Sequence, residues 1–249
     1  MKITGNTILM TGGTSGIGLG LARRLHESGN TVIIAGRRTA LLNAITRENP
    51  GLTGLELDVA DPASIERARE TLAISHPDLN VVINNAGIMR EENVLNAADV
   101  RTAEEHVAIN LLGTIRMVYA FAPALVGKTD AAIINVSSSL AFVPFPSTPT
   151  YSATKAALHS FSEGLRVQLA KADTGIQVIE IVPPGVRTEL MNQQESEHAM
   201  PLEDYLTEVM ILLQDNPHAD EIVVERALPM RRAILDGSYD DMLTMFSNM

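Results

Sequence analysis

The sequence contains no cysteine, which removes disulfides, thiolate nucleophiles and sulfur-ligated metals together and is compatible with a reducing compartment. Positive charge is scarce: 19 Lys and Arg stand against 30 Asp and Glu, for a net charge of −11. A phosphate backbone would meet a repulsive overall field, so nucleic acid is not an expected partner, although a local basic patch could still hold one nucleotide. No hydrophobic run reaches the roughly 20 residues a membrane helix needs. The opening Met1-Lys2-Ile3-Thr4-Gly5-Asn6 leads into an apolar strand with no basic flank and no hydrophobic signal core. The expectation is therefore a cytoplasmic protein with no membrane partner. Six histidines (His26, His76, His106, His159, His198 and His218) fall at no metal-ligand spacing, and no metal is expected. His159 reads as a packed or interface residue, and the acid pairs Glu91-Glu92 and Asp240-Asp241 as solvated surface.

What is present is 249 residues, 45% of them apolar, enough for one substantial core. Apolar bursts of strand length recur at Thr7 to Thr11, Thr31 to Ala35, Gly54 to Leu57, Val81 to Asn84, Ala131 to Val136 and Ile176 to Val182. Most are apolar on both faces, as strands are when helices cover both sides of a parallel sheet. Helical patterns lie between them. Ile17 to Ser28 ends at Gly29, Thr39 to Glu48 ends before Pro50-Gly51, and Ser64 to Ile74 is opened by Asp61-Pro62. Longer helices are expected at Thr102 to Leu125 and Tyr151 to Ala172. Right-handed crossovers turn this alternation into an α/β fold: a Rossmann-type doubly wound parallel sheet of order 3-2-1-4-5-6, with helices on both faces. A seventh strand is left open, since the last quarter offers only Glu221 to Glu225 as a short extended piece and otherwise reads as a helical lid rich in Met and acid.

Between the first strand and first helix stands Thr11-Gly12-Gly13-Thr14-Ser15-Gly16-Ile17-Gly18. Glycines let the backbone turn tightly and approach a pyrophosphate, while the helix N-terminus offers unpaired N–H donors, to which Thr14 and Ser15 add hydroxyls. Glycine at such junctions also serves positive φ alone. The spacing is neither G-x-G-x-x-G nor a P-loop, because no Gly-Lys-Ser/Thr follows. It resembles the Thr-Gly-x-x-x-Gly-x-Gly pattern of the short-chain dehydrogenase/reductase family.

The second strand ends Ile34-Ala35-Gly36-Arg37-Arg38, where an NAD enzyme would place a carboxylate for the ribose 2′-hydroxyl. Two guanidiniums and no acid suit a 2′-phosphate, so NADP(H) is expected over NAD(H); the alternative is solvated charge at a helix start. The family resemblance further implies that Asp58 and Val59 border adenine. It also implies that Asn85, Ala86 and Gly87, in Asn84-Asn85-Ala86-Gly87, border the nicotinamide ribose. Pro184 and Gly185 would then pass the nicotinamide, with Val186 beside it and Thr188 bonding its carboxamide.

Tyr151 and Lys155 stand one helical turn apart. With Ser138 after the strand ending at Val136, and with Asn110, they resemble the family's Asn-Ser-Tyr-Lys tetrad in order. Reducing a carbonyl requires a proton at oxygen as hydride reaches carbon. Tyr151 would carry it, with Lys155 as the cation favouring phenolate and holding the ribose. Ser138 would polarise the substrate oxygen, and Asn110 would anchor water. Spacing alone prefers Ser138 over Ser137 and Ser139.

The resemblance covers residues of about 5 to 190, the cofactor-binding and catalytic core of one domain spanning 1–249, with 191–249 as substrate lid and C-terminal segment. The tail is similar to the DltE-like branch of the family. The resemblance further implies that the two long helices, Thr102 to Leu125 and Tyr151 to Ala172, form the dimer face of a homodimer. Leu140, Phe142, Phe145, Met191, Met200, Leu202 and Tyr205 are expected to wall a small, partly apolar carbonyl or alcohol substrate, with core packing the alternative role for each. A cofactor-bound sensor or interaction protein without turnover is the alternative from another class, and it would have no need of Tyr151 with Ser138.

Overall fold

The computed structural model describes residues 1–248, so Met249 of the expected domain lies outside the described residues. Seven strands form one parallel sheet: β1 (Thr7–Thr11), β2 (Thr31–Gly36), β3 (Leu52–Glu56), β4 (Val81–Asn84), β5 (Ala132–Val136), β6 (Gln177–Val182) and β7 (Glu221–Val223), in the order β3-β2-β1-β4-β5-β6-β7. The doubly apolar strands feed two separate cores. Ile8, Met10, Val32 and Ile34 point to one face, and Leu9, Ile33 and Ala35 to the other. Helices α1 (Gly16–Glu27), α2 (Thr39–Glu48) and α7 (Leu202–Asp215) cover the first face; α3 (Pro62–Ser75), α5 (Thr114–Leu125) and α6 (Pro149–Lys171) cover the second. The seventh position, open from sequence, is filled by three residues with Ile222 buried against Ile181 in register.

Strand β1 has β2 on one side and β4 on the other, so chain order reverses there and a crevice opens at the carboxyl ends of these strands. The expected caps form nearby. The Asp61 side chain accepts from Ala63 N at 2.9 Å with Pro62 in the first turn of α3, and Gly29 takes φ 89° after α1.

The long helix expected at Thr102 to Leu125 is not uniform. It runs as α4 (Val100–His106), a π segment (Val107–Gly113) and α5. The 29-residue stretch Ala97–Leu125 is long and apolar enough to cross a membrane by length and composition, which the linear pattern did not suggest. In the fold its Met117, Val118, Phe121 and Leu125 are buried in the second core.

The tail divides. Helix α7 presents Tyr205, Leu206, Val209 and Leu213 to the first core. It lies so close to α1 that a Cβ on Gly20 would sit 2.4 Å from Leu206. The 190–195 turn, α8 (Leu228–Arg232) and α9 (Tyr239–Ser247) are the tail segments left for the open edge of the sheet.

Candidate active site

The glycine turn is shaped by contact as well as by φ. Gly12 has φ 65°, and a Cβ there would lie 2.8 Å from Ala86 Cα; a Cβ on Gly18 would lie 2.3 Å from the Gly12 carbonyl. Only hydrogen fits at these points. Asn85 locks the turn from the β4 side, its Nδ2 donating to the carbonyls of Thr11 and Gly12 at 3.1 and 3.2 Å. Ser15 begins α1 with no side-chain cap bond, so its hydroxyl and the first helical N–H groups face a crevice of about 430 Å³. A helix N-terminus of this kind attracts an anion.

This crevice gathers Gly12, Thr14, Ser15, Gly16, Ile17, Gly18, Arg37, Arg38, Asp58, Val59, Asn85, Ala86, Gly87 and Thr188. Arg37 and Arg38 are exposed at the end of β2. Arg38 reaches Thr14 Oγ1 at only 3.5 Å, and neither pairs with a carboxylate among the described residues. Asp58 spends one oxygen on the Ala60 N–H, at 2.9 Å. The donors and exposed guanidiniums fit an anionic dinucleotide.

A second cavity, of about 740 Å³, adjoins it through Ile17, Asn85, Gly87 and Thr188. Ser138, Tyr151, Lys155, Pro184, Gly185 and Val186 line it. Lys155 lies 5.6 Å from the Tyr151 ring centroid and donates to the Val136 carbonyl at 2.7 Å. No hydrogen bond joins this ammonium to the phenol oxygen among the described residues, and burial pushes the Tyr151 phenol up to about 12, opposed by a hydrogen bond from Ser138. Burial also pulls Lys155 down to about 8, partly offset by the carboxylate of Glu180. Ser137 turns its hydroxyl to the Ile181 carbonyl at 3.4 Å, so Ser138 is the serine that faces the phenol.

Asn110 is not on the wall of this cavity. It sits in the π segment, where its side chain clamps the Ile88 backbone: Oδ1 accepts from Ile88 N and Nδ2 donates to Ile88 O, both at 2.8 Å. π turns of this kind cluster at functional sites, and nothing in the local composition announced this one. Position 92 is a correction. The Glu92 side chain is 5% exposed rather than solvated; it receives His106 Nδ1 at 2.9 Å and the Thr150 hydroxyl at 2.6 Å. Because Arg90 N donates to His106 Nε2, the histidine is the neutral tautomer carrying its proton on Nδ1, and burial lowers its pKa. The trio fixes the start of α6, where Tyr151 stands.

Of the expected substrate wall, Leu140 and Phe145 line the cavity, and the other residues do not. Tyr205 is fully buried, and Met200 and Leu202 pack against the same core, because α7 must cover the sheet. Phe142 is sandwiched by His159 (4.8 Å) and Arg231 (4.6 Å). Met191 takes φ 56°, an uncommon backbone for a side chain of its size, in the 190–195 turn. The sequence reading missed Met230, Met242, Met245 and Phe246, which do line the cavity. The 242, 245, 246 spacing along α9 was the available signal.

His159, Glu180 and Glu221 come together from α6, β6 and β7 with ligand atoms within 4.8 Å of one another. Arg231 already supplies a cation there, forking onto Glu221 at 2.8 and 2.9 Å. His159 Nδ1 lies 2.8 Å from Glu180, and that hydrogen bond raises its pKa. The group is an ion-pair network that ties the tail to the sheet.

A family model described as short chain dehydrogenase matches residues 6–199. The uncharacterized oxidoreductase DltE of Bacillus subtilis (strain 168) is 38% identical, with 98% of this chain and 99% of that protein aligned. The NADP-dependent 3-hydroxy acid dehydrogenase YdfG of Salmonella typhi is 34% identical over 71% of each chain. Among solved structures, a short chain dehydrogenase from Burkholderia cenocepacia J2315 in complex with NADP superposes with a TM-score of 0.84 at 30% identity, covering 98% of this chain and 99% of the other.

Proposed function

Given that the chain belongs to the short chain dehydrogenase family, we propose that it is an NADP(H)-dependent oxidoreductase acting on a carbonyl or secondary alcohol, with Tyr151 as acid and base. The observation that carries this reading is the placement of Ser138, Tyr151 and Lys155 on one cavity wall that runs into the glycine-turn crevice. A dinucleotide held by the glycine turn and Asn85 would supply or accept the hydride. Ser138 holds the substrate oxygen beside the Tyr151 phenol, which delivers or removes the proton. Lys155 keeps positive charge near that oxygen, and Asn110, through its clamp on Ile88, is a positioning residue for the β4 loop. Arg37 and Arg38 take the 2′-phosphate; the NADP complex and the NADP-dependent relative support that preference. The expected test is loss of NADPH absorbance with a panel of aldehydes and ketones, and no consumption with any of them would remove the assignment.

The protonation states favour reduction. A phenol at about 12 keeps its proton at neutral pH, so it is loaded as a donor. Lys155 at about 8 is charged below that pH and neutral above it. Reduction should hold a plateau in acid and decline through about pH 8, whereas alcohol oxidation, which needs an emptied phenol, should climb over about pH 6 to 10. Profiles of kcat/KM in both directions check this, and an oxidation rate that is flat with pH contradicts it.

The homodimer belongs to the same proposal. Val100, Tyr119 and Val167 are 56, 74 and 69% exposed on α4, α5 and α6, apolar side chains that a second copy docking on these helices would cover. Light scattering should give twice the chain mass at micromolar concentration, and a monomer there speaks against it.

A further inference from the structure

Beyond the reacting residues the larger cavity continues under the tail, and its walls there are lopsided in chemistry. Leu140, Phe145, Met230, Met242, Met245 and Phe246 make an apolar side. Among the described residues the ionisable groups on the walls are Tyr151, Lys155, His198 and Arg226, and none of the 30 Asp and Glu side chains is with them. For a protein of net charge −11 this is a local reversal of sign, and a cavity lined that way concentrates anions. Arg226 donates Nη2 to the His198 carbonyl at 3.0 Å and has no carboxylate partner among the described residues. Six arginines elsewhere, among them Arg24, Arg90, Arg166 and Arg231, are ion-paired. The three on cavity walls, Arg37, Arg38 and Arg226, have no acid partner among the described residues, a state they share with surface arginines such as Arg47 and Arg232; what sets Arg226 apart is its place on the wall of an apolar cavity. An unpaired guanidinium beside an apolar space has its forked donors available to a carboxylate or phosphate.

Helix α9 suits the other end of such a ligand. None of its residues is buried, Met245 is 54% exposed, and Phe246 meets Phe145 edge-on at 5.5 Å. Flexible thioethers adapt to chains of differing shape, and a cavity of this size accommodates a medium-length one. Resting on the oxidoreductase reading above, we infer that the substrate is amphiphilic: a carbonyl compound with an apolar chain laid against α9 and an anionic group, carboxylate or phosphate, held by Arg226.

The test uses the NADP-loaded protein and calorimetry with decanoate, decyl phosphate and 1-decanol, which share one chain. At least one anion should bind about tenfold or more tighter than the alcohol, as a charge-assisted bond to arginine implies, and the tighter of the two identifies the head group. Arg226→Gln should bring the three ligands to within about twofold of each other. Arg232→Gln, an exposed arginine off the cavity wall, controls for net charge and should keep the preference. Decanol binding as well as both anions, or a preference that survives Arg226→Gln, overturns the inference. In turnover, a medium-chain oxo acid should exceed its methyl ester in kcat/KM, with the loss in Arg226→Gln falling on KM. If anions are preferred in binding but no carbonyl is ever reduced, the oxidoreductase reading fails while the anion site stands.

Discussion

Replacing Tyr151 by phenylalanine is expected to cut turnover by about a thousandfold or more, within the range that positioned proton transfer contributes, while NADPH binding changes by no more than a few-fold. The substitution keeps the ring, and the ring makes the packing: Tyr151 is 6% exposed, with His106 edge-on at 6.1 Å and the Lys155 ammonium 5.6 Å from its centre. What is lost is the hydroxyl that faces Ser138. Removing one partner of that bond costs the fold about 1 kcal/mol, far too little to unfold a domain of this size. Stability and activity should therefore separate, and thermal melting beside single-turnover NADPH oxidation reads both. Comparable rates in the two proteins would mean that another group moves the proton. His106, 6.1 Å from the ring, is off the cavity wall and has both nitrogens occupied, by Glu92 and by Arg90 N, which leaves Lys155 on the same wall as the group to examine next.

The parts of this fold that were legible in the sequence are those where one residue's neighbours in the chain carry the constraint. Alternate residues of β1 and β2 had to be apolar because they enter two different cores, and that leaves a continuous hydrophobic run. Gly12 and Gly18 had to be glycine because the turn folds back on itself and on the β4 loop. Tyr151 and Lys155 were readable as a pair because one helical turn sets them on the same wall.

What was not legible is assembled across the chain. Glu92 looked like half of a solvated acid pair; its role comes from His106 and Thr150. His159, Glu180 and Glu221 become one ionic group only when α6, β6 and β7 lie side by side. Tyr205 and Met242 show the same limit in the tail. Both lie on amphipathic helices, and an apolar stripe reads alike whether it will face a core, as on α7, or a cavity, as on α9. Which it does is decided by the room left over the sheet: α7 fills the place above α1, and the segments after β7 are left with the open edge.

The cofactor preference is expected to respond nearly as strongly as turnover. Arg37→Asp should shift the NADPH-over-NADH ratio in kcat/KM by about a hundredfold or more toward NADH. A charge-assisted hydrogen bond contributes about 1.5–3 kcal/mol, and the new carboxylate both removes one such bond and repels the 2′-phosphate. Geometry leaves little else for these side chains to do. Arg37 and Arg38 are exposed on the wall of the crevice. The carboxylate opposite in register, Glu56 beside Gly36, is turned to the Thr39 hydroxyl at 2.7 Å. Because the guanidiniums are exposed, their attraction for phosphate is screened by salt. In the unaltered protein the KM for NADPH should therefore rise with ionic strength while that for NADH stays level, and Arg37→Asp should flatten the first dependence. A ratio unmoved by the substitution, with the salt dependence intact, would show that the phosphate is recognised elsewhere in the crevice and would withdraw the NADP(H) assignment from this pair of arginines.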